Sequence, residues 1–259
     1  MGESESMVVV AIVQARTSSK RLPGKVLMPI LGKPMILHQL ERISNSSLID
    51  KVVLATSKEK SDDVLARLVM EYKYEVFRGD LQDVLNRYDI CADKYCADIV
   101  VRLTGDCPLS DGVLIDEMIA VFIKEKWEYL SNSADENNLT VPDGFDIEII
   151  DAKRLKEAAA KATLSSEREH VTPWLRKKSS NVKWKHYKHI PSRRYYRVTV
   201  DDCKDFEVIS KLFADLSIDS RTFGIDEVID YLDENPELAA KNLSTLRNEG
   251  YIYSLENDE

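Results

Sequence analysis

Cysteine is the first shortage. The 259 residues contain only Cys91, Cys96, Cys107 and Cys203, with no C-x-x-C pair, which excludes the common zinc and dithiol motifs and leaves reduced thiols as the simplest state. Nine glycines are spaced neither as G-x-x-x-x-G-K-[ST] nor as G-x-G-x-x-G, so the Walker loop and the dinucleotide fingerprint are both missing. No apolar run reaches the roughly eighteen residues of a helical membrane span. No basic start precedes an apolar core, so no leader is expected and the chain reads as cytoplasmic. Positive charge is short as well: 36 Lys and Arg face 45 Asp and Glu, a net charge of −9. A surface of that sign repels nucleic acid and anionic membrane, so an anion site has to be a local reversal of the field.

Such a reversal stands near the start. The apolar run from Val8 to Val13 reads as a strand buried on both faces, and it stops abruptly in Gln-Ala-Arg-Thr-Ser-Ser-Lys-Arg-Leu-Pro-Gly-Lys. Open α/β sheets place ligands beyond the carboxyl ends of their strands. Arg16, Lys20, Arg21 and Lys25, with Ser18, Ser19 and Gly24, offer charge, hydroxyls and bendable backbone N–H groups. That combination suits a triphosphate, although a solvated basic loop is the ordinary alternative.

The pattern beyond the loop alternates. A helix is expected from Lys33-Pro34 to Ile43, a strand from Ile49 to Thr56, a helix over Lys58 to Tyr72 and a short strand at Tyr74 to Phe77. Helix Leu81 to Lys94, strand Asp98 to Leu103, helix Asp111 to Ile123 and strand Glu128 to Asn132 follow. This alternation predicts an α/β fold with a mainly parallel sheet and helices on both faces. After Val141 come a turn, a strand with Asp146 and Glu148 on one face, an Ala-rich helix over Ala152 to Ala162 and a helical segment from Glu167 to Arg176. Arg176 to Arg197 holds nine Lys or Arg and no acid, and its alternation predicts two strands in a projecting hairpin. The rest is helical, with Pro236 near a helix start. Residues 1–6 read as a flexible tail and 7–259 as one domain.

Several residues invite a chemical reading beside a plain one. Asp106, in Thr-Gly-Asp-Cys-Pro after a buried strand, is either a turn cap or a ligand for magnesium on a triphosphate. Asp201 and Asp202 are each either a ligand or the cap of the following helix. Asp83 and Arg87 stand four apart, as in an ordinary helical ion pair.

Gln-Ala-Arg with Arg-Leu-Pro-Gly-Lys, Arg-Leu-Thr-Gly-Asp-Cys-Pro-Leu, and Val-Asp-Asp-Cys-Lys-Asp-Phe-Glu together resemble the sugar cytidylyltransferases. The likeness is nearest to the spore-coat polysaccharide biosynthesis protein F group, a relative of the 3-deoxy-manno-octulosonate and acylneuraminate enzymes. That group commonly has Gly or Ala at Ser18 and Ser or Thr at Lys20. The resemblance implies a three-layer, Rossmann-like nucleotidyltransferase fold of the GT-A type with a small projecting β arm. It implies Mg2+-dependent transfer of CMP from CTP to a sugar-like acceptor by a homodimer. Arg16, Arg21, Lys25 and Asp106 would be catalytic, and Ala15, Ser19, Gly24, Arg78 and Thr104 would join the nucleotide contacts. Asp106 and Asp201 would hold the metal, leaving Asp202 as the cap. Asp146, Glu148, Arg168 and His170 would face the acceptor, and residues 141–200 would supply the acceptor site and a dimerisation or flap arm. A glycosyltransferase using a ready-made nucleotide sugar, or a non-catalytic nucleotide-binding protein, are the alternatives from other classes.

Overall fold

In a computed structural model of the chain, which describes residues 7–217, 223–243, 245, 247, 249–256 and 258, the Val- and Ile-rich run forms β1 (Val9–Gln14). The expected tail at 1–6 lies outside these residues. Strand β1 sits mid-sheet because both of its faces are apolar and both find cover. A ribbon of β2 (Pro29–Ile30) and β3 (Lys33–Pro34) follows the basic loop. It turns at Leu31 and Gly32, both at positive φ, which matches a two-residue hairpin. Helix α1 (Met35–Ile43), β4 (Lys51–Ser57), α2 (Asp63–Glu71), β5 (Glu75–Gly79), α3 (Val84–Lys94) and β6 (Ile99–Thr104) continue the alternation. Then come α4 (Gly112–Glu125), β7 (Tyr129–Ser131), β8 (Glu148–Asp151), α5 (Ala152–Lys161), α6 (Ser165–His170) and β9 (Trp184–His186). Helices α7 (Cys203–Leu216), α8 (Ile225–Glu234), α9 (Pro236–Ala239) and α10 (Glu249–Glu256) complete the described chain.

The seven-stranded sheet has the order β5-β4-β1-β6-β8-β7-β9. Only β8 runs against the others. This one reversal matters, because the start of β8 reaches the edge where the remaining strands end. Gln14 at the close of β1 is level with Ala55 and Thr104, so three strand ends and the residues before β8 share one rim.

Side chains alternate across the pleat. Val9, Ala11 and Val13 enter a cluster with residues of α1, α4, α7 and α8, while Val10 and Ile12 enter a second cluster with residues of α3 and α5. Burying each such Val or Ile contributes about 1.5–3 kcal/mol before the entropy of ordering is counted. The two clusters thereby hold β1 fixed from both sides.

Three local expectations are corrected. Lys33-Pro34 belongs to the ribbon, and the helix starts at Met35. The helical segment over Glu167–Arg176 breaks into α6 and a 3-10 turn at Pro173–Arg176, because Val171 adopts φ +71 and Pro173 has no N–H to donate. Of two strands expected within 182–200, one forms. It is β9, laid along the sheet edge beside β7 rather than projecting. Residues near 196–200 make an isolated bridge between Asp143 and Arg197, with Val198 and Val200 buried in the core.

Gly144 makes that bridge close-fitting. It has φ +117, and an added Cβ would stand 2.5 Å from Thr199 N and Val198 C, which are backbone atoms that cannot swing aside. Gly144→Ala is therefore expected to cost about 3 kcal/mol, from strain and overlap together. Urea unfolding checks this, and a wild-type midpoint would contradict it.

Candidate active site

The site is assembled at the carboxyl rim by one ammonium group. Gly24, at φ +72, turns the basic loop back on itself and donates its N–H to Thr17 O at 2.8 Å. Lys25 then opens a 3-10 turn and sends its side chain inward, where it is only 10% exposed. Its Nζ donates to Val200 O at 2.6 Å and to Asp201 Oδ1 at 3.0 Å, and it lies 3.6 Å from Asp106 Oδ2. Burial alone would lower the Lys25 pKa, but Asp106 and Asp201 outweigh it and hold the group above the ordinary lysine value. Two motifs about a hundred residues apart in sequence thus meet on the loop's lysine.

Arg21 adds a second cation on Asp201 Oδ1 at 2.9 Å. Arg197 supplies a third, donating Nη2 to Asp201 Oδ2 at 2.8 Å. The same guanidinium donates Nη1 to Asp143 at 2.6 Å and pairs with Asp205 through Nε and Nη2, both at 2.9 Å. Arg247 pairs with Asp146 and lies 3.6 Å from Asp143. Burial would raise Asp201, yet Lys25, Arg21 and Arg197 hold it below the usual carboxylate range. Asp143 goes the other way, to about 7, chiefly through burial and then the neighbouring Asp146, against the pull of Arg247 and Arg197. Asp146 is likewise raised, by burial and by Asp106 and Glu148 among its neighbours.

The residues singled out in the sequence fall into two sets. Ala15, Ser19, Gly24, Arg21, Lys25, Thr104, Asp106 and Asp201 lie in or beside the rim. Ala15 stands so near Gly105 that a Cβ there would meet its own at 2.6 Å. Ser19 Oγ accepts from Leu22 N, and Thr104 Oγ1 lies 3.5 Å from Cys107 Sγ. Arg16 is close enough to Arg87 to help depress it, after burial, its main cause. Asp146 is at the rim through Arg247.

The second set is committed elsewhere. Arg78 donates to Ser57 O and Glu59 O and pairs with Asp63 at 2.6 Å, bracing the connection after β4. Arg168 forks onto Asp83, the N-cap of α3. His170 Nε2 lies 3.0 Å from Ser254 Oγ beside α10. Glu148 is 5% exposed and is engaged by Arg102, Tyr129 and Thr172, so its oxygens are spent within the protein. The Asp83–Arg87 ion pair does not form, since Arg87 instead donates to Asp80 O. Asp202 is indeed the cap of α7, accepting from Lys204 N and Asp205 N.

Arg197, Arg247, Asp143, Asp205 and Asp62 were missed. Asp62 is fully buried and receives Thr17 N at 2.7 Å, Thr17 Oγ1 at 2.8 Å and the Ser57 hydroxyl at 2.5 Å. It pins the start of the basic loop to the end of β4. A clue was in the string: acids after a strand often satisfy donors of the adjoining loop.

Magnesium beside phosphates takes one or two carboxylates and keeps several waters. Among the described residues no three His, Cys, Asp or Glu form a metal cage, but a nucleotide-bridged ion does not require one. Asp106 fits, being 30% exposed and held only weakly, by the long Lys25 ion pair on Oδ2 and by the Cys107 thiol 3.5 Å from Oδ1. Asp143 and Asp146 are raised chiefly by burial and then by their acidic neighbours, Asp106 among them, which marks a place able to take further positive charge. Asp201 fits once Lys25 and Arg21 both release Oδ1.

Burial by itself would raise the Asp62 carboxyl, and hydrogen bonds from Ser57 and Thr17 hold it below the usual range. Its contribution is therefore present above the unfolded value of about 3.9 and is lost as pH falls through the lower folded value. Asp62→Ala is expected to cost about 2 kcal/mol at neutral pH, with the gap from wild type closing below about pH 4. Chemical denaturation across pH checks both, and a pH-independent gap would contradict the assignment.

The family model described as cytidylyltransferase matches residues 10–252. A solved cytidylyltransferase from Leptospira borgpetersenii serovar Hardjo-bovis superposes with a TM-score of 0.85 at 31% identity, covering 93% of this chain and all of that one. The spore coat polysaccharide biosynthesis protein SpsF of Bacillus subtilis is 29% identical over 241 residues, 90% of this chain and 97% of its own length. The 3-deoxy-manno-octulosonate cytidylyltransferase of Geobacter sulfurreducens is 38% identical over 116 residues, 44% of this chain and 45% of its own. With a fold, a basic rim loop and a family match that spans nearly all of it, the chain belongs to the cytidylyltransferase family of nucleotidyltransferases.

Proposed function

We propose that the protein transfers CMP from CTP to a hydroxyl of a sugar acid, releases pyrophosphate and requires Mg2+. One observation carries the reading: the Lys25 ammonium joins the basic loop to both Asp106 and Asp201, so phosphate-binding and metal-binding groups meet at one point. The sugar-acid class is supported by the 3-deoxy-manno-octulosonate relative, and a role in surface polysaccharide by the spore-coat relative. A requirement for CTP goes with a cytoplasmic location.

In this reading Arg16, Arg21 and Lys25 neutralise the β and γ phosphates, and N–H groups around Ala15, Ser19 and Gly24 complete the cradle. Thr104 faces the nucleotide from the end of β6. Asp106 and Asp201 would hold the magnesium ion, which supplies charge neutralisation at the α-phosphate when bound. Asp146, steered by Arg247, contacts acceptor hydroxyls. The acceptor oxygen forms its bond to the α-phosphorus as the bond to the pyrophosphate oxygen breaks, and the hydroxyl proton is released. The protein's share of catalysis is alignment and fixed charge. Arg78, Glu148, Arg168 and His170 act as braces in this account, since their polar groups are already engaged.

With Mg2+, CTP at about a hundred times its Kd is expected to stabilise the fold by roughly 2.7 kcal/mol in a thermal-shift series. ATP, GTP and UTP are expected to give less, and Lys25→Ala to lose the CTP response. In a pyrophosphate-release assay with sugar acids, Lys25→Ala and Asp106→Ala are each expected to lower turnover by about two orders of magnitude. Near wild-type turnover in both would overturn the mechanism, and a response to nucleotide sugars in place of CTP would overturn the donor.

A further inference from the structure

The cation that joins the two halves of the site stands in an unexpected place. Lys25 Nζ is in ion-pair range of both Asp106 and Asp201, at 3.6 and 3.0 Å. The carbonyl of Val200 fixes it there at 2.6 Å. That carbonyl is itself held in register, because Val200 N donates to Asp106 O at 2.8 Å. Asp201 has no spare oxygen, since Oδ1 is shared by Lys25 and Arg21 and Oδ2 receives Arg197. An ammonium and a divalent ion cannot share these oxygens at close range without strong repulsion.

We infer that Lys25 is an internal counter-cation: it occupies the metal's position between Asp106 and Asp201 and vacates it only when phosphate draws the ammonium away. The inference rests on the proposed nucleotide reading and adds to it a coupling. Metal without nucleotide must displace a lysine whose carboxylate partners, among the described residues, are these two alone. A triphosphate on the basic loop offers another anion, so Lys25 and Arg21 change partners together and free Asp106 and the Oδ1 of Asp201 in the same event, Arg197 keeping Oδ2. By linkage the assistance is reciprocal, and metal at the carboxylates favours the lysine's move to phosphate.

The local backbone permits such a move. The N–H of Lys25 is tied to Leu22 O at 3.2 Å, which holds the main chain while the four-carbon stem swings. Gly24 beside it has no heavy atom within 4 Å of where a Cβ would stand, so the turn is open on that side. Arg21 is 41% exposed and Arg197 5%. The most buried of the three, Arg197, therefore keeps Asp201 oriented while Lys25 and Arg21 exchange.

The test is binding of Mn2+ alone, followed by the electron paramagnetic resonance signal of the free ion, to wild type, Lys25→Gln and Lys25→Met. Lys25→Gln keeps an N–H donor for Val200 O, which protects the fold if the methionine variant fails; circular dichroism and melting check both. Without nucleotide, the variants are expected to bind Mn2+ at least ten-fold more tightly than wild type, and adding Asp106→Asn is expected to abolish the gain. Folded variants that bind Mn2+ no better than wild type overturn the inference. So does wild-type protein that takes up Mn2+ alone in the micromolar range, whatever the variants do. Calorimetric titration of CTP into wild type, with EDTA and then with Mn2+, reports separately on the parent reading. CTP binding that persists while the Mn2+ gain is missing overturns only the lysine exchange, whereas no CTP binding under either condition overturns the nucleotide site itself.

Discussion

The buried contact of Lys25 with Asp201 and Val200 O is the constraint on which the site depends. It connects the loop after the first strand with a segment 175 residues later, and the intervening chain has to fold for the two to meet. Lone buried charges are costly, and pairing repays that cost only when hydrogen bonds are complete. Completion comes from Arg197, whose guanidinium serves Asp143, Asp201 and Asp205 while remaining 5% exposed. Removing one partner from such a group leaves the others uncompensated, a loss of several kcal/mol in comparable buried pairs. The arrangement therefore spends stability to fix carboxylates at the rim.

The network carries an uneven charge. Among the described residues, Asp106, Asp143, Asp146, Asp201 and Asp205 are joined to Arg21, Lys25, Arg197 and Arg247, five acids against four bases. Burial first, and the neighbouring acids after it, raise the proton affinity of Asp143 and Asp146. The proposed function would have this site receive a polyanion and a divalent cation together and so tolerate each sign in turn. Basic residues on the loop side and acids on the sheet side, with Lys25 between them, meet that need. The single antiparallel strand is the structural means, since β8 starts where its neighbours end and so brings Asp143 and Asp146 to the same rim.

Much of this was legible in the chain. The apolar run ending in Arg16 located both the central strand and the loop, because a strand buried on both faces can occupy only the middle of a covered sheet. The residues alone left Asp201 and Asp202 as alternative caps, and it was the resemblance that singled out Asp202, which does cap α7. What could not be read were partnerships set by tertiary distance. Arg197 belonged to a stretch whose charge looked like a surface arm, yet Val198 and Val200 beside it pull the backbone into the core and the arginine goes with them. The strand expected to carry both Asp146 and Glu148 starts only at Glu148, leaving Asp146 ahead of it, and period two says nothing of whether Arg102 and Tyr129 already fill the surroundings of Glu148. Arg168 and Asp83 are 85 residues apart in sequence, and no local pattern announces such a pair.

The most direct measurement is a crystal structure with CTP and Mn2+, in which anomalous scattering marks the metal independently of the protein's own density. The account predicts one strong peak in contact with an Asp106 carboxylate oxygen, with the triphosphate lying along Arg16, Arg21 and Lys25. A peak away from Asp106, or a triphosphate bound without contact to that loop, would contradict it.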